Sequence, residues 1–142
     1  MRAINPYLNF PGNTEEAFSF YKSVFGGEFT KLQRFKDMPQ AGRMSEEDGE
    51  KIMHISLPIG KNNILMATDV LLSMEQTMNP GTNFSLCIDT ESEDEATLLF
   101  NALSIDGKIE MPLEKTFWGA FFGMFADKFG IQWMINYDYS KK

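Results

Sequence analysis

The chain has 142 residues, of which 43% are hydrophobic and 13% aromatic, a composition typical of a globular protein with one hydrophobic core and not of a disordered or fibrous chain. Thirteen basic and twenty acidic residues give a formal net charge of -7, which disfavours nucleic acid and anionic membrane surfaces as partners. The sequence has one cysteine, and it shows neither a signal-peptide pattern nor an apolar run long enough to span a bilayer. We therefore expect a soluble protein of the reducing cytoplasm without a membrane partner.

The N-terminal half predicts a strand, a helix and three more strands. In the first strand Asn5, Tyr7 and Asn9 alternate with the apolar Leu8. Asn13 then begins an N-terminal capping box, and apolar residues recur at helical spacing until two glycines end the helix. The strands that follow are predicted at residues 28–35, 52–59 and 64–68, and in the second of these His54 and Ser56 alternate with Ile55 and Leu57.

Two connecting segments interrupt this pattern. Residues 36–50 are rich in glycine, proline and acidic side chains, which indicates a mobile loop: either a lid over a pocket or a solvated surface excursion. Residues 70–81 form the predicted linker to the second half, with a short helical turn near 71–76.

The C-terminal half repeats the first. Asn83, Ser85 and Cys87 alternate with the apolar Leu86 and Ile88 in a predicted strand. A capping box at residues 92–95 begins a second amphipathic helix, which an Asp-Gly pair at 106–107 ends. Three more strands are predicted at residues 108–113, 117–126 and 131–137.

The repeat predicts an α+β fold made of two βαβββ modules related by a pseudo-twofold, with helices on the outer face and strands curved around a concave pocket. We expect one domain over residues 1–142, with modules at about 1–69 and 82–138 joined by a linker at 70–81. Strand alternation then predicts that the polar positions line the pocket: Asn5, Tyr7, Asn9, His54, Ser56, Asn83 and Ser85.

Motifs along nearly the whole chain carry a family resemblance. They include the segment 5–10, the dipeptide at 53–54, and above all a run from Thr116-Phe117-Trp118-Gly119 to the segment 133–136. In these the sequence resembles the PhnB-like branch of the vicinal oxygen chelate superfamily, which also holds glyoxalase I, bleomycin-resistance proteins and extradiol dioxygenases. The resemblance implies paired βαβββ modules and a homodimer.

The resemblance also identifies the positions at which metal-dependent relatives hold their ligands. Those relatives have a His or Gln at the opening of each first strand and a Glu in each last strand. Here the opening positions hold Asn5 or Pro6 and Asn83, and the last-strand positions hold Leu65 or Met66 and Met134. Amides and thioethers are poor ligands for hard or borderline divalent ions, so we expect no metal. Because alternation turns Trp133 away from it, Met134 joins the pocket set together with Asn136.

The sequence offers no cofactor motif. Proteins of this type have carried a ubiquinone methyltransferase label, but no strand runs through a glycine-rich turn into a helix as a nucleotide-type cofactor requires. We therefore expect no cofactor.

Individual side chains leave the chemistry open. His54, the only histidine, is either a general base or a structural hydrogen-bonding group at the pocket wall. Cys87 is either a nucleophile or an inert small apolar residue, and the inert interpretation is the commoner one for a lone strand cysteine. Trp118, Phe122 and Trp133 either stack on a planar ligand or belong to the core.

Two functional hypotheses follow, from different classes. The first is a non-catalytic module that binds a small organic molecule in the pocket without the usual metal, in the manner of bleomycin-resistance proteins. The second is an atypical lyase, isomerase or oxygenase that uses His54 with polar groups such as Tyr7, Asn83 and Asn136. An interaction protein with a collapsed pocket is a third alternative.

Overall fold

The computed structural model describes residues 1–39 and 44–141. Its first unit, Met1–Asn79, is a four-stranded sheet with one long helix on its face. The strand order is β1-β4-β3-β2, with β1 parallel to β4 and the other neighbours antiparallel. Its elements are β1 (Tyr7–Phe10), α1 (Thr14–Phe25), β2 (Lys31–Arg34), α2 (Glu46–Gly49), β3 (Ile52–Ile59) and β4 (Asn63–Asp69).

The second unit, Pro80–Lys142, has the same topology. The strand order is β5-β8-β7-β6, and the first strand is again parallel to the last. Its elements are β5 (Leu86–Asp89), α3 (Glu93–Leu103), β6 (Lys108–Lys115), β7 (Ala120–Ala126) and β8 (Gln132–Asp138). Each unit is therefore a βαβββ module, which confirms the α+β fold class predicted from the repeat.

Each long helix covers one face of its own sheet. In the first unit α1 packs on β3 and β4, and its side chains Ala17, Phe18 and Tyr21 are buried. In the second unit α3 packs on β7 and β8, where the Phe100 ring meets the Phe125 ring edge to face at 5.1 Å. These contacts define a helix-covered face and a helix-free face for each sheet.

Gly123 shows how closely α3 approaches the second sheet. A side-chain carbon placed on Gly123 would lie 2.6 Å from the Phe100 ring and 3.0 Å from the backbone of Leu113. Only the absence of a side chain on β7 at this position allows the helix to sit so near.

The predicted alternation holds on the helix-covered faces. Leu8, Ile55 and Leu57 are buried, as expected for residues beneath α1. Leu86 and Ile88 are half-buried and lie in register with the buried Trp133 and Ile135.

Most differences between the predicted and the observed elements lie at the ends of strands. The sheets begin at Tyr7 and Leu86, so the segments around Asn5 and Asn83 precede their strands instead of opening them. The predicted strand start at residue 117 is also wrong, because Thr116 closes a turn there by bonding both the N–H and the carbonyl of Ala120. The predicted strand over residues 28–35 shortens to β2, Lys31–Arg34.

The first helix is capped by a residue distant in sequence. The Asn13 side chain makes no capping bond, contrary to the predicted capping box, and its Oδ1 is buried without a partner. Instead the buried Asp69 carboxylate accepts from the Thr14 N–H at 2.9 Å and from the Ile52 N–H at 2.8 Å. In the second unit the prediction is confirmed, since the Ser92 hydroxyl accepts from the Glu95 N–H at 3.0 Å.

The segment predicted as a loop over residues 36–50 contains structure. Helix α2 occupies Glu46–Gly49, and the buried Asp48 carboxylate accepts hydrogen bonds from Lys51 and Ser73. Ser73 lies in a 3-10 turn, Leu72–Met74, where the linker was expected to turn. The central part of that loop, residues 40–43, lies outside the described residues.

In the described ranges, 1–39 and 44–141, no helix combines the length and the hydropathy that crossing a membrane would need.

Candidate functional site

The helix-free face of the first sheet carries most of the polar positions predicted for this module. Strand register places Tyr7 beside Met66 and Met66 beside Ser56, and in the neighbouring row it places Asn9 beside Thr68. His54 lies opposite Gln33 on the same face. We call this surface the polar face, formed by Tyr7, Asn9, Gln33, His54, Ser56, Met66 and Thr68.

Three of these side chains form a hydrogen-bonded chain. The Tyr7 hydroxyl lies 3.1 Å from His54 Nδ1, and His54 Nε2 lies 2.9 Å from the Ser56 hydroxyl. The Tyr7 and His54 rings are tilted against each other with centroids 5.7 Å apart. Residues from two different strands are therefore held in one fixed arrangement.

The two hydrogen bonds of the Tyr7–His54–Ser56 chain can be donated from Tyr7 towards Ser56 or from Ser56 towards Tyr7. A neutral imidazole has one nitrogen that donates and one that accepts, and hydroxyls on both sides satisfy either tautomer. With one tautomer the Tyr7 oxygen is left with a lone pair for a ligand; with the other it has its proton to give. The half-exposed Tyr7 can thus serve a ligand group as acceptor or as donor.

The same geometry argues against acid-base or nucleophilic chemistry at this point. Burial raises the pKa of the Tyr7 phenol, so the phenolate is not favoured. Ser56 is only 4% exposed, so a substrate carbonyl has no approach to its hydroxyl. Both ring nitrogens of His54 are already hydrogen-bonded, one to the Tyr7 hydroxyl and one to the Ser56 hydroxyl.

The helix-free face of the second sheet has a different chemistry. Four sulphur-containing residues lie in one row across its four strands, because Cys87 pairs with Met134, Met134 with Met124, and Met124 with Met111. We call Cys87, Met134, Met124 and Met111 the sulphur row. The adjacent row contains Glu114, Phe122, Asn136 and Asp89, which are likewise in register.

The Asp89 carboxylate beside the sulphur row accepts a hydrogen bond from the Asn136 amide at 3.0 Å. On the other side of the row, the Ser85 hydroxyl lies 3.5 Å from the Gln132 side-chain oxygen. Burial, followed by the charge of Asp89, raises the pKa of the Cys87 thiol. The thiol therefore stays protonated and makes a poor nucleophile.

The predicted site residues divide between these surfaces. Tyr7, His54 and Ser56 are brought into contact, and Met134 and Asn136 share the second face. Asn5 uses its side-chain oxygen to accept from the Ile64 N–H at 3.2 Å, and Asn83 is exposed ahead of β5.

Several residues of the two faces were missed by sequence reasoning. Met66 and Thr68 could have been found, because β4 alternates them with the buried Leu65 and Ala67. The sulphur row could not, because its members come from four strands whose register no local pattern specifies.

The ligand positions of the metal-dependent relatives can now be assigned to side chains. Of the two alternatives in β4, Met66 lies on the polar face while Leu65 is buried beneath the helix. Met134 lies on the helix-free face of the second sheet. Within residues 1–39 and 44–141 no three His, Cys, Asp or Glu side chains are grouped so that they could hold a metal ion.

The aromatic residues considered for stacking on a ligand lie in different surroundings. Trp133 belongs to the core, and its indole N–H donates to the Asp127 carboxylate at 2.8 Å. Trp118 is exposed in the turn before β7 and meets Phe122 edge to face with ring centroids 5.9 Å apart.

A separate open concavity of about 650 Å³ lies near the start of α3. Tyr139 donates its hydroxyl to the Glu93 carboxylate there, and its ring meets Tyr137 edge to face at 5.2 Å. Burial and the Glu93 carboxylate together raise the pKa of Tyr139 to about 12. The Lys115 ammonium lies 5.9 Å from the Tyr139 ring centroid.

A family model described as 3-demethylubiquinone-9 3-methyltransferase matches residues 2–136 of this sequence. The chain belongs to this PhnB-like family. It is 33% identical over 141 residues to Protein YjdN of Escherichia coli K12, covering 94% of this chain and 93% of that protein.

Solved structures agree with this assignment. Protein PA1353 from Pseudomonas aeruginosa is 40% identical with a TM-score of 0.83, covering 95% of this chain and 96% of that one. A PhnB protein from Bacillus cereus, described as a 3-demethylubiquinone-9 3-methyltransferase, is 28% identical with a TM-score of 0.74, covering 94% of this chain and 98% of that one. A glyoxalase/bleomycin resistance/dioxygenase family enzyme from Burkholderia phytofirmans, at 17% identity and a TM-score of 0.57 over 95% and 98%, shares the fold.

Proposed function

We propose that this protein binds a small organic molecule on the polar face, through neutral hydrogen-bonding groups and without a divalent metal. The observation that carries the proposal is the Tyr7–His54–Ser56 chain, which presents a half-exposed phenol already oriented by the imidazole. A preoriented group loses little conformational entropy when a ligand binds. Asn5 and Asn9, in the same unit, remain proposed contacts of this ligand; Asn83, Ser85, Met134 and Asn136 remain proposed ligand contacts of the second unit alone.

Binding is favoured over catalysis by what surrounds His54. A general base needs a free lone pair directed at the substrate, and here both ring nitrogens face protein hydroxyls. Tyr7 is the group at the surface of the chain, and its raised pKa suits a neutral donor or acceptor better than a base.

The methyltransferase named in the family description is not part of this proposal. Such a reaction uses a nucleotide-type cofactor, which commonly places polar groups at a helix N-terminus. The N-terminus of α1 is already occupied by the Asp69 carboxylate, and that of α3 carries three acidic residues in its first turn. The turns that lead into these helices, residues 11–13 and 90–92, also lack the glycine-rich pattern on which such a cofactor is held.

A fragment-binding experiment tests the polar-face proposal. Saturation-transfer NMR in the presence of EDTA would examine neutral aromatic compounds that carry hydroxyl, ketone or amide groups. We expect at least one to bind with a Kd below about 1 mM. The Tyr7→Phe and Ser56→Ala substitutions should each weaken this binding about fivefold, as the loss of one hydrogen bond predicts.

Asn62→Ala is the matched control, because Asn62 is exposed in the turn between β3 and β4. Its binding should equal that of the unmodified protein. The proposal is overturned if no compound of the panel binds, or if Tyr7→Phe and Ser56→Ala bind as tightly as the control.

We also propose that the protein forms a homodimer and resides in the cytoplasm. The dimer is supported by the exposed edge strands β2 and β6, since an uncovered strand edge is a surface for pairing. Light scattering at tens of micromolar, a rough working scale, should give twice the chain mass, and a stable monomer would contradict the proposal. The cytoplasmic location is supported by the single, unpaired cysteine.

A further inference from the structure

The sulphur row forms a continuous apolar strip across the second sheet. Cys87, Met134, Met124 and Met111 are direct neighbours from strand to strand, and same-face neighbours in a sheet have Cβ atoms about 5 Å apart. Met134 and Met124 are half-buried, while Cys87 and Met111 are exposed. Thioether side chains are flexible and polarisable, which suits them to cover a flat apolar surface of variable shape.

Two carboxylates, Asp89 on β5 and Glu114 on β6, lie in the row that borders this strip. Asp89, at the β5 end of that row, lies beside Asn136, and the Asn136 amide donates to one of its carboxylate oxygens. The ion pairs formed by the described residues involve other carboxylates, namely Glu28, Glu15, Glu50 and Asp48. Asp89 is exposed, and among the described residues only the Asn136 amide is hydrogen-bonded to its side chain.

We infer that the helix-free face of the second sheet binds a flat organic cation, an arylalkyl amine that carries its ammonium group on a short carbon chain. Its rings would lie on Met134 and Met124, with the ammonium group directed at Asp89. The formal net charge of -7 favours the approach of a cation to any part of this protein.

The inference stands on the second sheet alone and uses no group of the Tyr7–His54–Ser56 chain. Failure of one proposal therefore leaves the other testable. The second-sheet site adds a ligand class to the proposed function, because the polar face would bind neutral oxygen and nitrogen groups whereas the helix-free face of the second sheet would bind a positive charge.

Three probes of one shape and different charge give the test: naphthalen-2-ylmethylamine, naphthalen-2-ylmethanol and 2-naphthoate. With methionine methyl groups labelled with ¹³C, the amine should shift the Met124 and Met134 signals and leave Met74, which lies outside both sheets, unchanged. The alcohol should bind more weakly and the naphthoate most weakly. Added salt should reduce amine binding, since exposed charge pairs are screened.

Variants assign the effect to residues. Asp89→Asn should weaken amine binding about fivefold, as one exposed ion pair predicts, and leave the alcohol within about twofold. Asp94→Asn, which removes an exposed carboxylate on α3, is the control and should change neither. Met134→Gln should weaken amine and alcohol together, while Met134→Leu, which keeps the apolar surface and the fold, should retain both.

Equal binding of the three probes would overturn the inference, because charge would then play no part. So would amine binding that Asp89→Asn leaves unchanged, or that shifts no methionine of the sulphur row. Loss of amine binding in Tyr7→Phe would also contradict it, since that would place the amine on the polar face.

Discussion

The Asp69 carboxylate should contribute far more to the free energy of unfolding than the side chain of Asn13, the N-cap residue of α1. Asp69 is 2% exposed and accepts two backbone hydrogen bonds, from Thr14 at the start of α1 and from Ile52 at the start of β3. Replacing Asp69 with alanine leaves both donors buried without a partner.

The size of the effect follows from those two bonds. A hydrogen bond to a charged group contributes about 1.5–3 kcal/mol, and unsatisfied buried donors are costly. The two losses share one acceptor and are not fully additive, so we expect Asp69→Ala to lower the free energy of unfolding by about 4 kcal/mol. Asn13→Ala, which at an ordinary N-cap costs about 1 kcal/mol, should cost less than about 0.5 kcal/mol here.

Urea denaturation followed by circular dichroism gives both numbers. The small cost expected for Asn13→Ala has a structural reason: its side chain makes no capping bond, and the substitution removes a buried oxygen that has no partner. A cost of 1 kcal/mol or more for Asn13→Ala, roughly that of an ordinary cap, together with a smaller cost for Asp69→Ala, would refute the assignment of Asp69 as the group that caps α1.

Three further predictions concern packing, titration and metal content. Gly123→Ala should destabilise the second unit by about 2 kcal/mol, because the added carbon would lie 2.6 Å from the Phe100 ring, and a cost near zero in urea denaturation would contradict this packing. Tyr139 has a pKa raised to about 12, so the stability it provides should be complete below pH 10, the ordinary pKa of tyrosine, and should be lost as pH rises toward 12. The chain has four tyrosines, so the difference between the absorbance titrations of the unmodified protein and of Tyr139→Phe isolates this ionisation. A midpoint of that difference near pH 10 would be inconsistent with the Glu93 contact. Elemental analysis of protein purified without a histidine tag should find no stoichiometric divalent transition metal, and about one zinc, nickel, manganese or iron per chain would contradict the proposed metal-free binding.

The fold was largely predictable because its signals are local. Alternation of apolar and polar residues predicted β3 with its observed bounds, Ile52–Ile59, and Ser92 capped its helix as predicted. Asn13 was misassigned because a capping box is a local pattern, and the competing carboxylate of Asp69 lies 55 residues away from Thr14. Tertiary contacts of this kind override local preference and leave no trace near the helix.

The candidate site was predictable only in part. Alternation places Tyr7, His54 and Ser56 on polar sides of their strands, but it does not indicate that Tyr7 reaches a ring 47 residues away. The sulphur row depends on the register of four strands, including two irregularities in the pairing of β6 with β7. Register of this kind is set by the packed core beneath the sheet and by the turns, which single strands do not reveal.

The single histidine offers the most direct test of small-molecule binding on the polar face. Protein labelled with ¹⁵N at histidine gives the two ring nitrogen signals of His54 alone, free of overlap. In EDTA, adding a neutral hydroxylated or ketone-bearing aromatic compound that binds should shift these signals, and the shift should disappear in Tyr7→Phe. Binding of such compounds that leaves both His54 ring nitrogens unchanged would contradict the account, because the ligand would then lie elsewhere than on the Tyr7–His54–Ser56 chain.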